Sequence, residues 1–517
     1  MNVSSGILGE LGGFGLGIGY LTIRQENVHR PVMAGDANVV VVVMDTTRWD
    51  DAMDPSVAPT LTELGADGTA FRETISPAPW TLPAHASMVT GTYPSKHGAH
   101  AAHERLDDSL PTLPELFQDA GYETACVSNN TWLSIESGFD RGFDTFRQMW
   151  QLVQSSTAMG ELVDVMEEGR AKAVCRKLLE GNPAANAANV LYRLLVRERS
   201  DDGASRTTEW IEQWLADRDR DEPFFLFTNY LEPHLEYRPP ERLAEQFLPV
   251  EFSYQEAMEI PQEPWEYLAG HVRLTDAELR ALRALYRAEI AYLDEQLAAL
   301  KEALVQAGEW EDTILVITAD HGENIGDHGM MDHQYCLYET LVHVPLVVHG
   351  GAFTDGGEVS DLVSLVDLAP TLLDAAGIDA PAARAGFQGR SFHPDAGSPP
   401  REFLVSEYMA PQPSMEALEH HVGALPDDID RFDRSLRALR TDEHKLVRGS
   451  DGTIELYDLA ADPHESTDVA AANPALVDSL TDTLDEWLDG FERADVDRSV
   501  ELDADRKEHL EELGYIR

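Results

Sequence analysis

Two apolar runs, VVVVVM at 39–44 and TILVIT at 313–318, are each followed closely by an acid, Asp45 and Asp320. Runs this short, rich in β-branched residues and without polar alternation, mark strands buried on both faces, as in a parallel sheet flanked by helices. A side chain at the carboxyl end of such a strand points into the crevice where open α/β sheets bind ligands. Either aspartate could merely cap the turn that follows. The rest of the chain repeats the alternation. Helical patterns at 59–68, 112–120, 206–219 and 363–376 (entered through Pro370) are interleaved with strand patterns at 124–128, 223–228 and 344–348. That order predicts an α/β fold: a large, mostly parallel sheet with helices on both faces.

The stretch SPAPWTLPAHASMVTG at 76–91 is the second informative feature. Proline is favoured in the first turn of a helix, and glycine closes one. The pattern predicts two short helical turns over 84–90 stopped by Gly91, with Thr81 at or near the N-terminus. Unpaired N–H groups and the positive end of the dipole favour an anion at such a position. A hydroxyl there is either an N-cap or a nucleophile for a phosphate or sulfate ester.

The chain has 517 residues with 93 acidic against 39 basic side chains, a net charge of −54 spread along its length. Lysine is confined to Lys96, Lys172, Lys177, Lys301, Lys445 and Lys507. Self-repulsion of this size is screened only in concentrated salt, where the Debye length falls to about 3 Å near 1 M. The expectation is a halophilic, acidic-proteome chain in a high-salt cytoplasm. No basic footprint for nucleic acid is present, and no integral membrane span is expected. Cys126, Cys175 and Cys336 are too scattered for a disulfide framework or zinc knuckle. Residues 1–35, Gly-rich and without a basic leader region, read as a packed or mobile segment and not a signal peptide or anchor. A catalytic α/β domain is expected over 36–380, with helical insertions at about 149–195 and 241–300. The Pro/Gly/Ala/Ser-rich stretch 381–400 leads into a smaller C-terminal α+β subdomain, 381–517. There, a strand at 402–407, an antiparallel sheet from 436–440, 445–448 and 454–457, and a closing helix at 476–490 are expected.

Asp45, Asp320, the adjoining His321 and Thr81 together offer carboxylate, imidazole and hydroxyl donors, a mixture suited to one divalent cation: Mn, Zn, Mg or Ca. Such a cation lowers the pKa of the hydroxyl and neutralises charge developing on a transferred phosphoryl or sulfuryl group. His234 and His333, in loops after strands, are candidate contacts to the ester oxygens or general acids. A lone histidine is usually structural; two in such loops are less easily dismissed.

With these residues in view, the chain resembles the sulfatase family of the alkaline-phosphatase-like superfamily. The resemblance is carried by NVVVVVMDTTRWD (38–50), TLPAHASMVTGTYPSKHG (81–98), GFDRGFDTF (138–146), EPHLEYRPP (232–240), TADHGENIGDHG (318–329) and LYETLVHVPLVVHG (337–350). VSLVDLAPTLLDAAGI (363–378), ELYDLAADPHE (455–465) and the terminal ELGYIR extend it, in order, over nearly the whole chain.

The resemblance implies a metal-dependent ester hydrolase of the sulfatase fold. It assigns the nucleophile to Thr81, the metal ligands to Asp45, Thr81, Asp320 and His321, and substrate contacts to His234 and His333. Three departures bear on mechanism. The family's nucleophile is a Cys or Ser matured to formylglycine, whereas oxidation of threonine would give a ketone, so no formylglycine is expected. His85 stands where the family signature has Arg, as a candidate catalytic group. The usual Gly-Lys-Trp-His segment is replaced by SNNTWLS at 128–134, making Asn129 and Asn130 candidate substrate contacts. Thr46 occupies the place of a second metal-binding Asp in many members. Threonine nucleophiles occur in phosphodiesterase and phosphoethanolamine-transferase relatives, so phosphoester or phosphodiester chemistry is favoured over sulfate. An arylsulfatase-type sulfuric ester hydrolase and a phosphoethanolamine-type transferase are the alternatives. A two-metal enzyme would have to draw on Asp327, His328 and His333. A non-catalytic sulfatase-like binding protein is the rival of another class. The expected substrate is an anionic ester on a small molecule, glycan or lipid.

Overall fold

The computed structural model describes residues 37–149, 203–218, 222–354, 356–423, 425–426 and 429–494. The N-terminal segment, most of the expected insertion at 149–195, Cys175 and the terminal ELGYIR lie outside them. An eight-stranded sheet forms the centre. Its strands are β1 (Asn38–Met44), β2 (Thr69–Ile75), β3 (Glu123–Ser128), β4 (Thr145–Gln148), β5 (Phe224–Tyr230), β6 (Thr313–Thr318), then, after a separate two-stranded hairpin of β7 (Asn324–Ile325) and β8 (Met331–Asp332), β9 (Leu346–His349) and β10 (Glu358–Ser364). Their order across the sheet is β10-β2-β9-β6-β1-β5-β3-β4. β6, β1, β5, β3 and β4 run parallel to one another, β10 runs parallel to β2, and β9 is antiparallel to both β6 and β2. The α/β fold with a large, mostly parallel sheet is therefore as expected.

Every residue of β1 is buried, with alternate side chains feeding opposite layers. Val39, Val41 and Val43 pack with Leu82, Ala86 and Val89 on one face. Val40, Val42 and Met44 meet Leu285, Leu293 and Leu297 of the long Asp276–Ala307 helix on the other. Each fully buried valine contributes about 1.5–2 kcal/mol, which is why a strand apolar on both faces takes the middle of the sheet. The Asp276–Ala307 helix opens on a Thr275–Glu278 capping box and closes on Gly308 in the left-handed conformation.

A separate four-stranded antiparallel sheet is formed by β11 (Leu404–Tyr408), β12 (Leu436–Arg440), β13 (His444–Gly449) and β14 (Ile454–Asp458). Leu480, Leu484 and Leu488 of the Pro474–Asp489 helix cover it. A buried charge cluster ties it to the main body: Lys445 Nζ lies 2.9 Å from both Glu339 and Glu465, and Arg440 bridges Glu339 and Glu73.

Two expectations shift. The segment 363–376 begins as the end of β10 and becomes a helix only at Leu368–Ala375, because Val363 and Ser364 still pair with Thr74 and Ile75. β2, β4 and the hairpin of β7 (Asn324–Ile325) and β8 (Met331–Asp332) are additions with weak local patterns. Among the described residues, no helix is long and apolar enough to cross a membrane.

Candidate active site

Because β6, β1, β5 and β3 are parallel, their carboxyl ends share one edge of the sheet, and the polar residues that follow them converge there. Asp45 follows β1, Asp320 and His321 follow β6, and Asn130 follows β3. Thr81 is the first residue of the Thr81–Thr90 helix, three positions earlier than the turns expected from the sequence. Trp80 enters extended (φ −153°, ψ 165°), which turns the Thr81 hydroxyl toward the strand ends.

The four residues close into one cluster. His321 Nδ1 donates to the Gly322 carbonyl at 2.9 Å, which leaves Nε2 with its lone pair. That atom lies 3.5 Å from Thr81 Oγ1, 3.4 Å from Asp320 Oδ2 and 3.9 Å from Asp45 Oδ1. Asp45 Oδ1 and Asp320 Oδ2 are buried without any hydrogen-bond partner. Burial drives the His321 imidazole well below its usual pKa, so it is neutral and adds no charge of its own. Burial, and for Asp45 the Asp320 carboxylate as well, raises both acids. Acceptors facing one another with no donor between them are the environment a divalent cation satisfies. The donor atoms of Asp45, Asp320 and His321 all lie within 4.8 Å of one another.

The remaining oxygens are held rigidly. Asp320 Oδ1 accepts the N–H groups of Thr46 (3.2 Å) and His321 (2.9 Å). Asp45 Oδ2 accepts Nδ2 of Asn130 at 2.6 Å and of Asn229 at 3.3 Å. Asn130 Nδ2 also reaches Thr81 Oγ1 at 3.2 Å, so one amide links the hydroxyl to the carboxylate. Asn129 points elsewhere: its Oδ1 accepts the Thr207 hydroxyl at 3.1 Å, as alternation along an extended chain requires. His85, one turn along the helix, donates Nδ1–H to the Thr81 carbonyl at 2.9 Å and lies 3.5 Å from Asp320 Oδ2. It braces the helix against the carboxylate and is fully buried.

His234 and His333 meet, with ring centroids 5.2 Å apart, and His333 lies 4.4 Å from the His321 ring. His234 Nδ1 donates to the Leu235 carbonyl at 2.7 Å. Burial opposes a charge on His333, but Asp332 and Glu323 outweigh it and hold its pKa at about 9. Asp327 and His328 do not join this group. Asp327 pairs with Arg48 and Arg283, and His328 stacks on Tyr338. Asn229 was missed in the sequence: it is the penultimate residue of β5, level with Val43 inside the paired part of the sheet, and not a residue that follows a strand. Glu323 and Asp332, at either end of the 324–332 hairpin, reach the His333 ring through that hairpin, which no local pattern announced, and Thr46 contributes its backbone N–H.

Residues 37–378 match the family model described as Sulfatase. The chain belongs to the sulfatase family. This sulfatase-family chain is 25% identical over 478 residues to arylsulfatase K of Bos taurus, covering 86% of this chain and 81% of that protein. It is 24% identical over 473 residues to the choline-sulfatase of Rhizobium meliloti (strain 1021), covering 86% and 85%. Among solved structures, the phosphonate monoester hydrolase of Agrobacterium radiobacter superposes with a TM-score of 0.65 at 22% identity, over 88% of this chain and 96% of that one. The last establishes the fold alone. The chain is accordingly an ester-bond hydrolase of a family that depends on a divalent metal, with an acid–histidine cluster able to hold one.

Proposed function

We propose that the chain hydrolyses phosphoric esters, with phosphodiesters favoured, and that Thr81 Oγ1 is the nucleophile. The observation that carries this reading is the threonine itself. Its hydroxyl stands at a helix N-terminus, 3.5 Å from His321 Nε2 and within reach of the Asn130 amide. A cation held by Asp45, Asp320, His321 and Thr81 would lower the hydroxyl pKa and neutralise charge on the transferred group.

Thr81 gives its proton to solvent, and its oxygen attacks phosphorus in line while Asn130 fixes its direction. The bond to the leaving oxygen breaks, and that oxygen takes a proton from His333 or His234. Water then attacks the phosphothreonine ester, releasing phosphate or a phosphate monoester and restoring the hydroxyl. A formylglycine hydrate sheds its sulfate by reverting to the aldehyde, whereas a threonine ester needs this second attack. Sulfuric esters are the second reading, supported by relatives named arylsulfatase K and choline-sulfatase. We further assign the protein to a high-salt cytoplasm, on its net charge of −54.

The test is turnover of bis(4-nitrophenyl) phosphate, 4-nitrophenyl phosphate and 4-nitrophenyl sulfate in 2 M KCl, with Mn²⁺, Zn²⁺, Mg²⁺ and Ca²⁺ in turn. Diester turnover exceeding sulfate turnover, abolished in Thr81→Ala with unchanged circular dichroism, is expected. Sulfate preference, an oxidised residue 81 in the peptide mass, or an active Thr81→Ala would refute it.

A further inference from the structure

Behind His333 lie two buried acids, Glu323 and Asp332, that the chemistry above does not use. Glu323, Asp332 and His333 have donor atoms within 4.8 Å of one another. That spacing would admit a cation, but the oxygens of Asp332 are already engaged. Oδ1 accepts the His333 N–H at 2.7 Å and lies 2.5 Å from His333 Nδ1, while Oδ2 accepts Gln334 Nε2 at 2.8 Å. Glu323 Oε1 stands 4.0 Å behind the same ring nitrogen, and both its oxygens are buried without a partner.

The backbone is bent to make this contact. Asp332 has φ +73° and Tyr335 has φ +62°, so the turn bearing His333 is bracketed by two non-glycine residues in the left-handed region. Such conformations cost about 1–3 kcal/mol each and persist only where the surroundings over-determine them. Here Asn324 Nδ2 donates to the Asp332 carbonyl at 3.0 Å, and the Tyr335 hydroxyl donates to the Pro413 carbonyl at 2.7 Å. With Nδ1 buried against carboxylates, the exposed 12% of the His333 side chain excludes that nitrogen. Nε2, on the opposite edge of the ring, is the nitrogen left for an ester oxygen.

We propose that Asp332 is a positioning residue for the reaction: its carboxylate, presented by a left-handed backbone turn, fixes the His333 ring so that Nε2 meets the substrate. Glu323 backs the same ring nitrogen. This rests on the reading of His333 as a group that contacts the ester. A residue that acts only through His333 has nothing to act on once the imidazole is gone, which makes the pair testable by a double-mutant cycle.

Wild type, Asp332→Asn, His333→Ala and the double variant are compared in 2 M KCl. Asparagine tolerates the left-handed region, so Asp332→Asn keeps the turn while removing the charge. The readouts are kcat/KM on bis(4-nitrophenyl) phosphate and 4-nitrophenyl sulfate, the calorimetric Kd for inorganic phosphate, and metal equivalents per chain. Asp332→Asn is expected to lower kcat/KM by about 10- to 100-fold, part of what a positioned proton donor supplies. In the His333→Ala background the same change costs less than about twofold. The phosphate affinities follow the same non-additive pattern and decide the matter if neither aryl ester turns over. Equal losses in both backgrounds would overturn the proposal, as would release of a second metal equivalent by Asp332→Asn. An unaffected His333→Ala would remove its basis. Failure of the nucleophile reading shows separately, as turnover surviving Thr81→Ala.

Discussion

Replacing Asp320 by asparagine should make the cation-free protein more stable and the cation-loaded protein less so. Asp320 Oδ1 accepts two backbone N–H groups, a role the asparagine carbonyl keeps. Oδ2 has no donor and lies 3.4 Å from the His321 Nε2 lone pair. An amide NH₂ in that place gains an acceptor where the carboxylate had none. It also removes one of two buried charges whose oxygens lie within 4.8 Å. At an effective dielectric of 20, that repulsion is about 3.5 kcal/mol. Relaxation and proton uptake reduce it, leaving a gain of about 1–3 kcal/mol in the chelated variant. In the wild type, a cation at 100 to 1,000 times its Kd restores about 2.7–4.1 kcal/mol. Extending the size trend of thermal unfolding to a chain this long, 1 kcal/mol moves Tm by about 1–2 °C. Wild type should therefore melt about 3–8 °C higher with saturating Mn²⁺ than with chelator, and the shift should fall below about 1 °C in Asp320→Asn. The chelated variant should melt above the chelated wild type, so the stability order crosses when metal is added. Differential scanning calorimetry in 2 M KCl with EDTA or Mn²⁺ reads both differences. A variant less stable than wild type under both conditions would refute the socket, as would a wild type indifferent to Mn²⁺, Zn²⁺, Mg²⁺ and Ca²⁺.

Asn130→Ala removes the amide shared by Asp45 Oδ2 and Thr81 Oγ1, and kcat should fall about 100-fold in steady-state assays with little change in Tm. Lys445→Met strands two buried glutamates and should cost about 3–5 kcal/mol in urea unfolding. Burial works against the Glu339 charge, but Lys445 and Arg440 outweigh it and hold its pKa at about 2. Its contribution is therefore complete above about pH 4.5, its unfolded value, and fades as pH falls toward 2, which acid titration by circular dichroism will show. With a net charge of −54, Tm should climb steadily between 0.1 and 2 M KCl as the Debye length contracts from about 10 Å to about 2–3 Å; a flat response would exclude self-repulsion as the reason for the composition.

The elements legible in the sequence were those whose environment is uniform along their length. β1 and β6 are buried throughout and could be read as unbroken apolar runs, and their terminal acids marked the site edge. β2, by contrast, is TAFRETI, with an exposed Arg72 paired to Glu358 and a sheet position set by partners hundreds of residues away. The antiparallel course of β9 was equally invisible, because its pattern is that of any buried strand. At the site, residue types announced Asp45, Thr81, Asp320 and His321. Asn129 and Asn130 were indistinguishable until alternation sent one toward Thr207 and the other toward Thr81.

Backbone strain shows why the supporting geometry was not legible in the sequence. Thr46, His328, Asp332, Tyr335 and Glu465 are the described non-glycine residues with positive φ, and no local preference predicts a threonine or a tyrosine there. Thr46 keeps its conformation because the Tyr286 hydroxyl donates to its carbonyl at 2.7 Å and accepts the Arg48 N–H at 2.8 Å. That bond comes from the middle of the Asp276–Ala307 helix, packed under the sheet. The strained turn in return aims the Thr46 N–H at Asp320 Oδ1, leaving Oδ2 free to face the cluster. The same logic places Asp332 behind His333. In both turns an unfavourable dihedral is offset by a side-chain hydrogen bond, from the distant Asp276–Ala307 helix for Thr46 and from the paired strand of the same hairpin for Asp332, and what it secures is the direction of one carboxylate oxygen. Stability and site geometry are therefore coupled through Tyr286 and Asn324, two residues that touch neither the nucleophile nor its proposed cation.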